Sequence, residues 1–311
     1  MTVPTVVPSA AFPLPMPPVS PLDSLDQILA DAGELAALPQ VVMRVLDLTS
    51  DANATAADLE KVIGLDQALA ARILALANSA YYGMPRSVST LHEAVVFLGF
   101  KTLRNLAMTI TTFNLFLGKS DTPALARRAL WRHSVDAAQC ARVITHRLSG
   151  PAQEAVGAEQ AYTCGLLHDI GKMALDRSRH ALFVSLTEVA RAHHVRFWEI
   201  EAEVMPFSHA QIGATLTERW NLPPQICEAI AFHHTPRAAS LNPRLTAVTA
   251  LASEMAHFLE ASHGDDPHAW EALHQACAES TLPLRVSDGC LHAMARACRD
   301  ELGKGLSTLA L

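Results

Sequence analysis

The sequence lacks several features that mark common protein classes. Alternating runs of Val, Ile or Thr, which are typical of strands, are scarce in its 311 residues, and no block of Lys or Arg occurs. Lys and Arg total 24 against 31 Asp and Glu, so the formal net charge is −7. These absences disfavour a sheet protein and a sequence-independent binder of DNA or of an anionic membrane.

Long apolar runs and paired cysteines are missing too. The most apolar stretch, residues 93–118, is interrupted by Lys101 and Arg104, so we expect no membrane span. The six cysteines show no CxxC spacing, which predicts reduced, mostly buried thiols. Half of the residues are hydrophobic and alanine is abundant. We therefore expect a soluble, cytoplasmic, all-α protein.

Proline and polarity divide the chain into four predicted segments. Residues 1–21 contain seven prolines and no charged side chain, which predicts a disordered or polyproline-II arm and argues against a signal-peptide core. Residues 22–118 and 119–262 are each predicted to form a helical bundle, because a polar stretch with a proline opens the second segment. Residues 263–311 are predicted to form a short helical tail, to which the sequence assigns no role.

Helix ends are marked by capping residues, and a corner between two helices by a polar motif. Capping signals occur at Thr55 with Asp58, at Asp66, and at Ser208 with Gln211. Apolar residues recur at helical spacing between residues 103 and 117.

Asn78 and Ser79 precede the turn Gly83-Met84-Pro85. Their side chains are predicted to satisfy backbone groups at a rigid corner between two helices. Tyr81 and Tyr82 lie at the same turn. A solvent-reachable tyrosine there is a candidate contact for a partner protein.

Histidine, with 15 copies, is the most informative residue type. Neutral imidazole and carboxylate groups suit a divalent metal such as Zn, Fe or Mn, and a bound metal lowers the pKa of its water ligand. The alternative is that each inward histidine is a hydrogen-bonded core residue. The polar residues on helix faces or ends that could converge are His133, His168, Asp169, His209, His233 and His234.

Two blocks of sequence resemble a known superfamily. LWRHS (130–134), GLLHDIGK (165–172), SHAQIGATLTERWNLP (208–223) and AIAFHH (229–234) resemble the HD-type phosphohydrolases. LPQVVMRVLDL and the segment 66–108 resemble the amino-terminal part of the HDOD domain, the HD-related output domain of bacterial signalling proteins. This resemblance covers about residues 35–255 and implies a two-part, all-α HDOD fold.

The resemblance also implies roles for the candidate residues. In active HD enzymes a helix-borne His, a His–Asp doublet and a later Asp bind metal. His133 takes the first role and the pair His168–Asp169 the second, and Lys172 matches the basic residue that follows the doublet. His209, His233 and His234 match histidines of the multi-metal branch that cleaves cyclic dinucleotides.

Two parts of the enzymatic pattern are missing. Ser253 stands where the closing Asp is expected, and a neutral hydroxyl is a poor ligand for a hard divalent ion. Glu254 lies about 100° further around the helix and is expected to point elsewhere. The GYP signature of active cyclic-di-GMP phosphodiesterases is absent after His234.

Two functions remain open at this point. The HDOD resemblance implies a non-catalytic signalling or scaffold module without a required cofactor, in contact with regulatory proteins of two-component or cyclic-dinucleotide signalling. Self-association is compatible with the sequence. The alternative is a metal-dependent phosphohydrolase acting on a nucleotide or cyclic dinucleotide, which the missing carboxylate argues against. A nucleic-acid-binding regulator is disfavoured by the net charge of −7.

Overall fold

The structure is a computed structural model that describes residues 24–33, 40–51, 53–79, 81–82, 88–117, 124–148, 156–262, 267–280, 284 and 286–304. Every regular element within these ranges is helical, so the all-α prediction is confirmed. The helices are α1 (Leu25–Asp31), α2 (Gln40–Ser50), α3 (Ala56–Ile63), α4 (Gln67–Ala77), α5 (Leu91–Leu117), α6 (Ala124–Arg147), α7 (Ala158–Leu167), α8 (Ile170–Ser178), α9 (His180–His193), α10 (Phe197–Val204), α11 (His209–Arg219), α12 (Pro224–Ala231), α13 (Pro243–Ser262), α14 (Pro267–Ser280) and α15 (Asp288–Leu302). The predicted arm, 1–21, and the predicted junction, 119–123, lie outside the described residues.

The helices enclose two hydrophobic cores. The first lies among α2, α3, α4 and α5 and includes the fully buried Leu59, Ile73 and Leu103. The second is larger and extends from α6 to α15, with Ile144 and Met255 among its buried residues. The second core also includes Val42 and Leu46 of α2 and Met108 of α5, so α2 and α5 contribute to both cores.

Helix α1 belongs to the second core. Its buried residues, Ile28 and Leu29, pack with that cluster, and α1 contacts α8 and α11. The sequence places this segment in the first bundle because it precedes α2 in the chain. Its apolar face is instead covered by helices that come more than 100 residues later.

The predicted helix starts are confirmed. Thr55 and Asp58 form a complete capping box at α3, with the Asp58 carboxylate 3.0 Å from the Thr55 amide nitrogen. Ser208 and Gln211 do the same at α11, and the Asp66 side chain accepts a hydrogen bond at the start of α4. Each interaction satisfies a backbone donor that the first turn of a helix leaves free.

Helix α5 contains a break that the sequence pattern does not predict. Gly99 has φ 75° and ψ 164°, a conformation that side-chain-bearing residues rarely adopt, so α5 consists of two helical stretches that meet there. The stripe at Leu103, Leu106 and Ile110 is buried as predicted, whereas the side chain of Leu117 lies outside the described part of the structure. The break therefore turns the chain before the buried stripe begins.

The polar corner forms as predicted. Asn78 Nδ2 donates to the carbonyl oxygens of Leu74 (2.9 Å) and Val88 (2.8 Å), and Asn78 Oδ1 accepts from the Val88 amide (2.7 Å). Ser79 Oγ donates to Leu76 O. Residues 83–87, which include the predicted turn, lie outside the described residues. Asn78 thus fixes the chain on both sides of the corner.

The predicted tail forms two helices that pack on the second bundle. Helix α14 contacts α13, and α15 contacts both α6 and α13. Five of the six cysteines are buried, which confirms that they are mostly buried thiols. In the described part of the chain, no helix has both the length and the apolar character needed to cross a bilayer.

Candidate metal centre

The six candidate residues come from separate elements of the second bundle. His133 lies on α6, His168 and Asp169 join α7 to α8, and His209 is the first residue of α11. All four are buried. The structure therefore brings together residues that are 76 positions apart in the sequence.

His233 and His234 lie in the turn that follows α12. This helix ends at Ala231. His233 is buried and His234 is partly exposed. Because the chain turns here, both rings face His209, with ring centroids 5.5 Å and 5.0 Å from it.

A glycine brings α8 and α11 into direct contact. A Cβ atom at Gly171 would lie 1.9 Å from the His209 carbonyl oxygen and 2.7 Å from the Gly213 nitrogen, so a larger residue would separate the two helices. This close approach places Asp169 Oδ1 3.2 Å from His209 Nε2. Backbone packing thus sets the separation of two candidate ligands.

Asp169 is the centre of the cluster. Its Oδ1 lies 3.2 Å from His209 Nε2 and 3.8 Å from His233 Nε2. Its Oδ2 lies 3.5 Å from His168 Nε2 and 3.9 Å from His133 Nε2. Four imidazole rings therefore turn the same ring nitrogen toward one carboxylate.

The other ring nitrogen of two histidines is held by the backbone. His168 Nδ1 donates to the Gly165 carbonyl oxygen at 2.8 Å, and His233 Nδ1 donates to the Ile230 carbonyl oxygen at 2.7 Å. A carbonyl oxygen only accepts, so the proton of each neutral ring is on Nδ1. Each Nε2 is left with a lone pair that faces Asp169.

His209 is held by a carboxylate that the sequence analysis missed. Glu201, on α10, is fully buried, and its two oxygens accept from the His209 amide (2.6 Å) and from His209 Nδ1 (2.7 Å). Burial opposes protonation of His209, but the charge of Glu201 raises its pKa above the usual value. A carboxylate behind an imidazole is the arrangement that orients metal-binding histidines.

The cluster leaves buried polar atoms without hydrogen-bond partners. These atoms are His133 Nδ1, His168 Nε2, His233 Nε2 and Asp169 Oδ1. Burial lowers the pKa of His133 and His233 well below the usual value, so their rings are neutral. His168 Nε2, His233 Nε2 and Asp169 Oδ1 are acceptors that face one another, and such a group fits a cation between them.

The donor geometry gives two overlapping sets of ligand atoms. One set comprises His133, His168 and Asp169, and the other comprises Asp169 with His209, His233 and His234. Within each set the candidate ligand atoms lie within 4.8 Å of one another. These residues fit a divalent ion, with Asp169 common to both sets.

Comparison with known proteins agrees with this architecture. A family model described as the HDOD domain matches residues 35–236. The chain belongs to the HDOD family. An uncharacterized protein of Treponema pallidum (strain Nichols) is 26% identical to this HDOD chain over 236 residues, which cover 76% of this chain and 44% of that protein. The chain thus spans less than half the length of the curated relative that it matches.

Two crystal structures are similar to this HDOD chain. A Shewanella amazonensis SB2B protein, provisionally named a phosphohydrolase, has a TM-score of 0.71 and 25% identity, covering 90% of this chain and 96% of its own. An HDOD domain protein of unknown function from Geobacter sulfurreducens has a TM-score of 0.65 and 23% identity, covering 89% and 99%. The similarity extends beyond the matched family region, so both bundles belong to a shared HDOD fold.

The HDOD chain matches the enzymatic pattern at Lys172 and differs from it at Ser253. Lys172 Nζ donates to Asp169 Oδ2 at 2.7 Å. Ser253 Oγ lies 3.5 Å from His133 Nε2, which places the hydroxyl at the edge of the cluster. Glu254, one residue further along α13, pairs with Arg196. Burial opposes ionisation of Asp169, but His168 and Lys172 hold its pKa well below the usual range.

His257 is a second residue that the sequence analysis missed. Its ring stacks on that of His133, with centroids 4.0 Å apart and planes 21° from parallel. It lies one helical turn after Ser253, so the i+4 spacing on α13 was the available signal. Glu201 gave no such signal, because no motif or helical spacing links it to His209 across the turn after α10.

Tyr81 and Tyr82 lie outside the His/Asp cluster and are partly buried. The Tyr81 hydroxyl donates to Glu301 Oε1 and accepts from Gln139 and Arg142. Burial raises the pKa of both tyrosines. Contact of this pair with a partner protein remains a prediction.

Proposed function

We propose that this HDOD protein is a non-catalytic signalling module that acts through contacts with regulatory proteins of two-component or cyclic-dinucleotide signalling. Its His/Asp centre holds a divalent ion such as Zn, Fe or Mn in a structural role. The environment of Asp169 carries this proposal. The carboxylate is 2% exposed, one oxygen pairs with Lys172, and Ser253 stands where a closing carboxylate is expected.

Burial of the donors supports a structural ion. A catalytic metal keeps one coordination position for water or substrate, whereas a structural metal is enclosed by protein ligands. His168 and His209 are fully buried, and the partly exposed His234 stacks against Trp198 at 5.3 Å. An ion held by these groups would be shielded from a phosphate ester by the surrounding helices.

The signalling role is supported by family membership and by the retained corner. HDOD domains resemble HD enzymes but belong to signalling proteins as output modules. In this chain Asn78 and Ser79 satisfy backbone groups, so that block contributes to the fold rather than to a reaction. A non-catalytic output module would use its surface, which leaves the buried centre to stabilise the second bundle.

The test begins with full-length protein purified without a histidine tag. Metal content is measured first, and thermal unfolding is then followed before and after chelation. Nucleotides and cyclic dinucleotides are next screened as substrates with Mn²⁺, Fe²⁺ or Zn²⁺, using Asp169→Asn as the control. We expect a bound ion that raises the melting temperature and no turnover above the control. Turnover that Asp169→Asn abolishes would contradict the non-catalytic role.

The partner role needs a direct binding measurement. Purified receiver domains and cyclic-dinucleotide synthases or hydrolases are titrated against the protein by calorimetry, with a Tyr82→Ala variant as a surface probe. We expect micromolar or tighter binding to at least one of these regulators. Failure of every regulator of these classes to bind would contradict the proposed partners.

A metal-dependent phosphohydrolase is the second candidate function. The observation that favours it is the alignment of His168, His209 and His233, whose Nε2 atoms face Asp169 while each Nδ1 is held by an acceptor. Catalytic metal sites use this kind of support. Metal-dependent turnover that is lost in both Asp169→Asn and His209→Gln would establish this function.

A further inference from the structure

Helix α13 presents a row of polar side chains to the metal centre. Ser253, His257 and Glu260 follow one another at spacings of four and three residues, so they share one face of the helix. Ser253 and His257 on this face both contact His133 of α6. Ser253 stands where a carboxylate is expected. His257 and Glu260 provide an imidazole and a carboxylate at the next two positions of the row.

We propose that His133, His257 and Glu260 form a divalent-metal subsite beside the Asp169 centre, in which His257 and Glu260 provide the ligands that Ser253 does not. One potential ligand atom from each residue lies within 4.8 Å of the other two. His133 Nδ1 is buried without a hydrogen-bond partner, in a residue that is 6% exposed. The subsite therefore contains a ring nitrogen that has no hydrogen-bond partner and can bind a cation.

The ligand chemistry is that of a zinc-type ion. Two histidines and one glutamate form a known zinc ligand set that leaves a fourth position for water. Zinc-to-ligand distances of about 2.1 Å place tetrahedral ligands roughly 3.4 Å apart. Glu260 is exposed and free to change rotamer, so its carboxylate can close on an ion held by the two rings.

The local charges allow a cation to bind. Arg196 and Lys172 are the positive groups that act on His257. Arg196 is paired with Glu254, and Lys172 is paired with Asp169. Each positive charge that acts on His257 is therefore balanced by its own carboxylate partner.

Metal titration of the full-length, tag-free chain tests the subsite. The protein is stripped by chelation, and Zn²⁺ is added in competition with a chromophoric chelator to obtain the number of ions and their affinities. Co²⁺ absorption reports the coordination geometry. The variants are His257→Gln, Glu260→Gln and Asp169→Asn. His92→Gln is the matched control, because His92 Nδ1 lies 3.2 Å from an exposed Glu60 carboxylate far from the centre.

We expect Glu260→Gln and His257→Gln each to weaken one bound ion at least tenfold and to change the Co²⁺ spectrum. Asp169→Asn should retain that ion, and His92→Gln should match the parent. Unchanged stoichiometry and affinity in both α13 variants would overturn the inference. If circular dichroism shows that His257→Gln does not fold, the result for Glu260→Gln decides whether the subsite exists, because Glu260 is exposed.

The outcomes separate this inference from the proposed function, on which it rests for the presence of a metal centre. An ion that responds to Asp169→Asn but not to the α13 variants overturns the subsite and leaves the structural centre in place. An ion that responds only to the α13 variants establishes the subsite and contradicts a structural ion at Asp169. A parent chain that binds neither Zn²⁺ nor Co²⁺ overturns both.

Discussion

The Tyr81 hydroxyl donates a 2.7 Å hydrogen bond to Glu301 Oε1, which joins the corner after α4 to the end of α15 across 220 positions of sequence. Arg142 Nη2, on α6, donates to both groups, at 3.1 Å and 2.8 Å. Burial opposes ionisation of Glu301, but its contacts with Lys304, Tyr81 and Arg142 lower its pKa. The predicted tail thus contributes a carboxylate that connects the two bundles.

Removing the Tyr81 hydroxyl should weaken this connection. We expect Tyr81→Phe to lower the free energy of unfolding by about 1–3 kcal/mol, because the hydroxyl loses its hydrogen bonds with Glu301, Arg142 and Gln139. Urea denaturation followed by circular dichroism measures the change. Tyr82→Phe is the control, since it leaves the bonds among Tyr81, Arg142 and Glu301 in place. Equal stability of Tyr81→Phe and the parent would show that the Tyr81 hydroxyl contributes nothing to the free energy of unfolding.

The metal-free protein should lose stability as the pH falls below about 6.5. Several buried histidines have a pKa lowered by burial, so the unfolded chain, with ordinary histidine pKa values, binds more protons in this range. Each such histidine lowers the free energy of unfolding by up to about 1.4 kcal/mol per pH unit in this range. His209 acts in the opposite direction, because its pKa is raised and its contribution is lost as the pH rises through that value. The histidines whose pKa is lowered are His133, His168, His233, His234 and His257.

Urea titrations of the chelated protein at pH 7.5, 6.5 and 5.5 measure this dependence. His257→Gln should have a smaller slope between pH 6.5 and 5.5 than the parent, by about the contribution of one group. His92→Gln is the surface control. A parent stability that is constant from pH 7.5 to 5.5 would contradict the prediction.

Restoring a carboxylate at position 253 should strengthen metal binding at the Asp169 centre. Because Ser253 Oγ lies 3.5 Å from His133 Nε2, a carboxylate there would add an anionic ligand beside the first set of donors. We expect Ser253→Asp to raise Mn²⁺ or Zn²⁺ affinity at least tenfold. The metal-free variant should lose about 1–3 kcal/mol of unfolding free energy, because the new buried carboxylate has no cationic partner.

Ser253→Asn is the uncharged control for this change. It has nearly the same size as Asp and should gain little affinity. Metal content and denaturant unfolding, with and without added ion, are measured on all three proteins. Stoichiometric occupancy in the parent that Ser253→Asp does not alter would show that position 253 is not the missing ligand.

Deletion of residues 1–21 should leave the fold intact. The seven prolines of this segment cannot contribute helix hydrogen bonds, so we expect the melting temperature to change by less than roughly 5 °C. Thermal unfolding and size-exclusion chromatography compare the two proteins. A large loss of stability would show that Phe12, Leu14 or Met16 packs on the helical body.

Features that depend on neighbouring positions could be predicted from the sequence. The capping box at Thr55 and Asp58 and the helix end at Asn78 involve atoms at most ten residues apart. The histidines of the centre were identified through their motifs. Their inward direction followed from helical spacing, as for His133 on α6.

Features that depend on packing could not be predicted in this way. Glu201 meets His209 across the turn between α10 and α11, and no sequence motif marks that contact, although only eight positions separate the two residues. Helix α1 joins the second core because later helices cover its apolar face. His257 becomes part of the centre only because α13 lies against α6. The break at Gly99 changes the direction of α5 without changing its hydrophobic period.

The backbone contact between Gly171 and His209 sets the size of the metal centre. The missing Cβ fixes the spacing of α8 and α11 before any ligand side chain is considered. Exchange of a donor, such as the hydroxyl at Ser253, therefore alters the chemistry of the cavity while its dimensions persist. Substitution of the donor side chains in such a fold can therefore change the bound ion or abolish catalysis while the surrounding helices keep their positions.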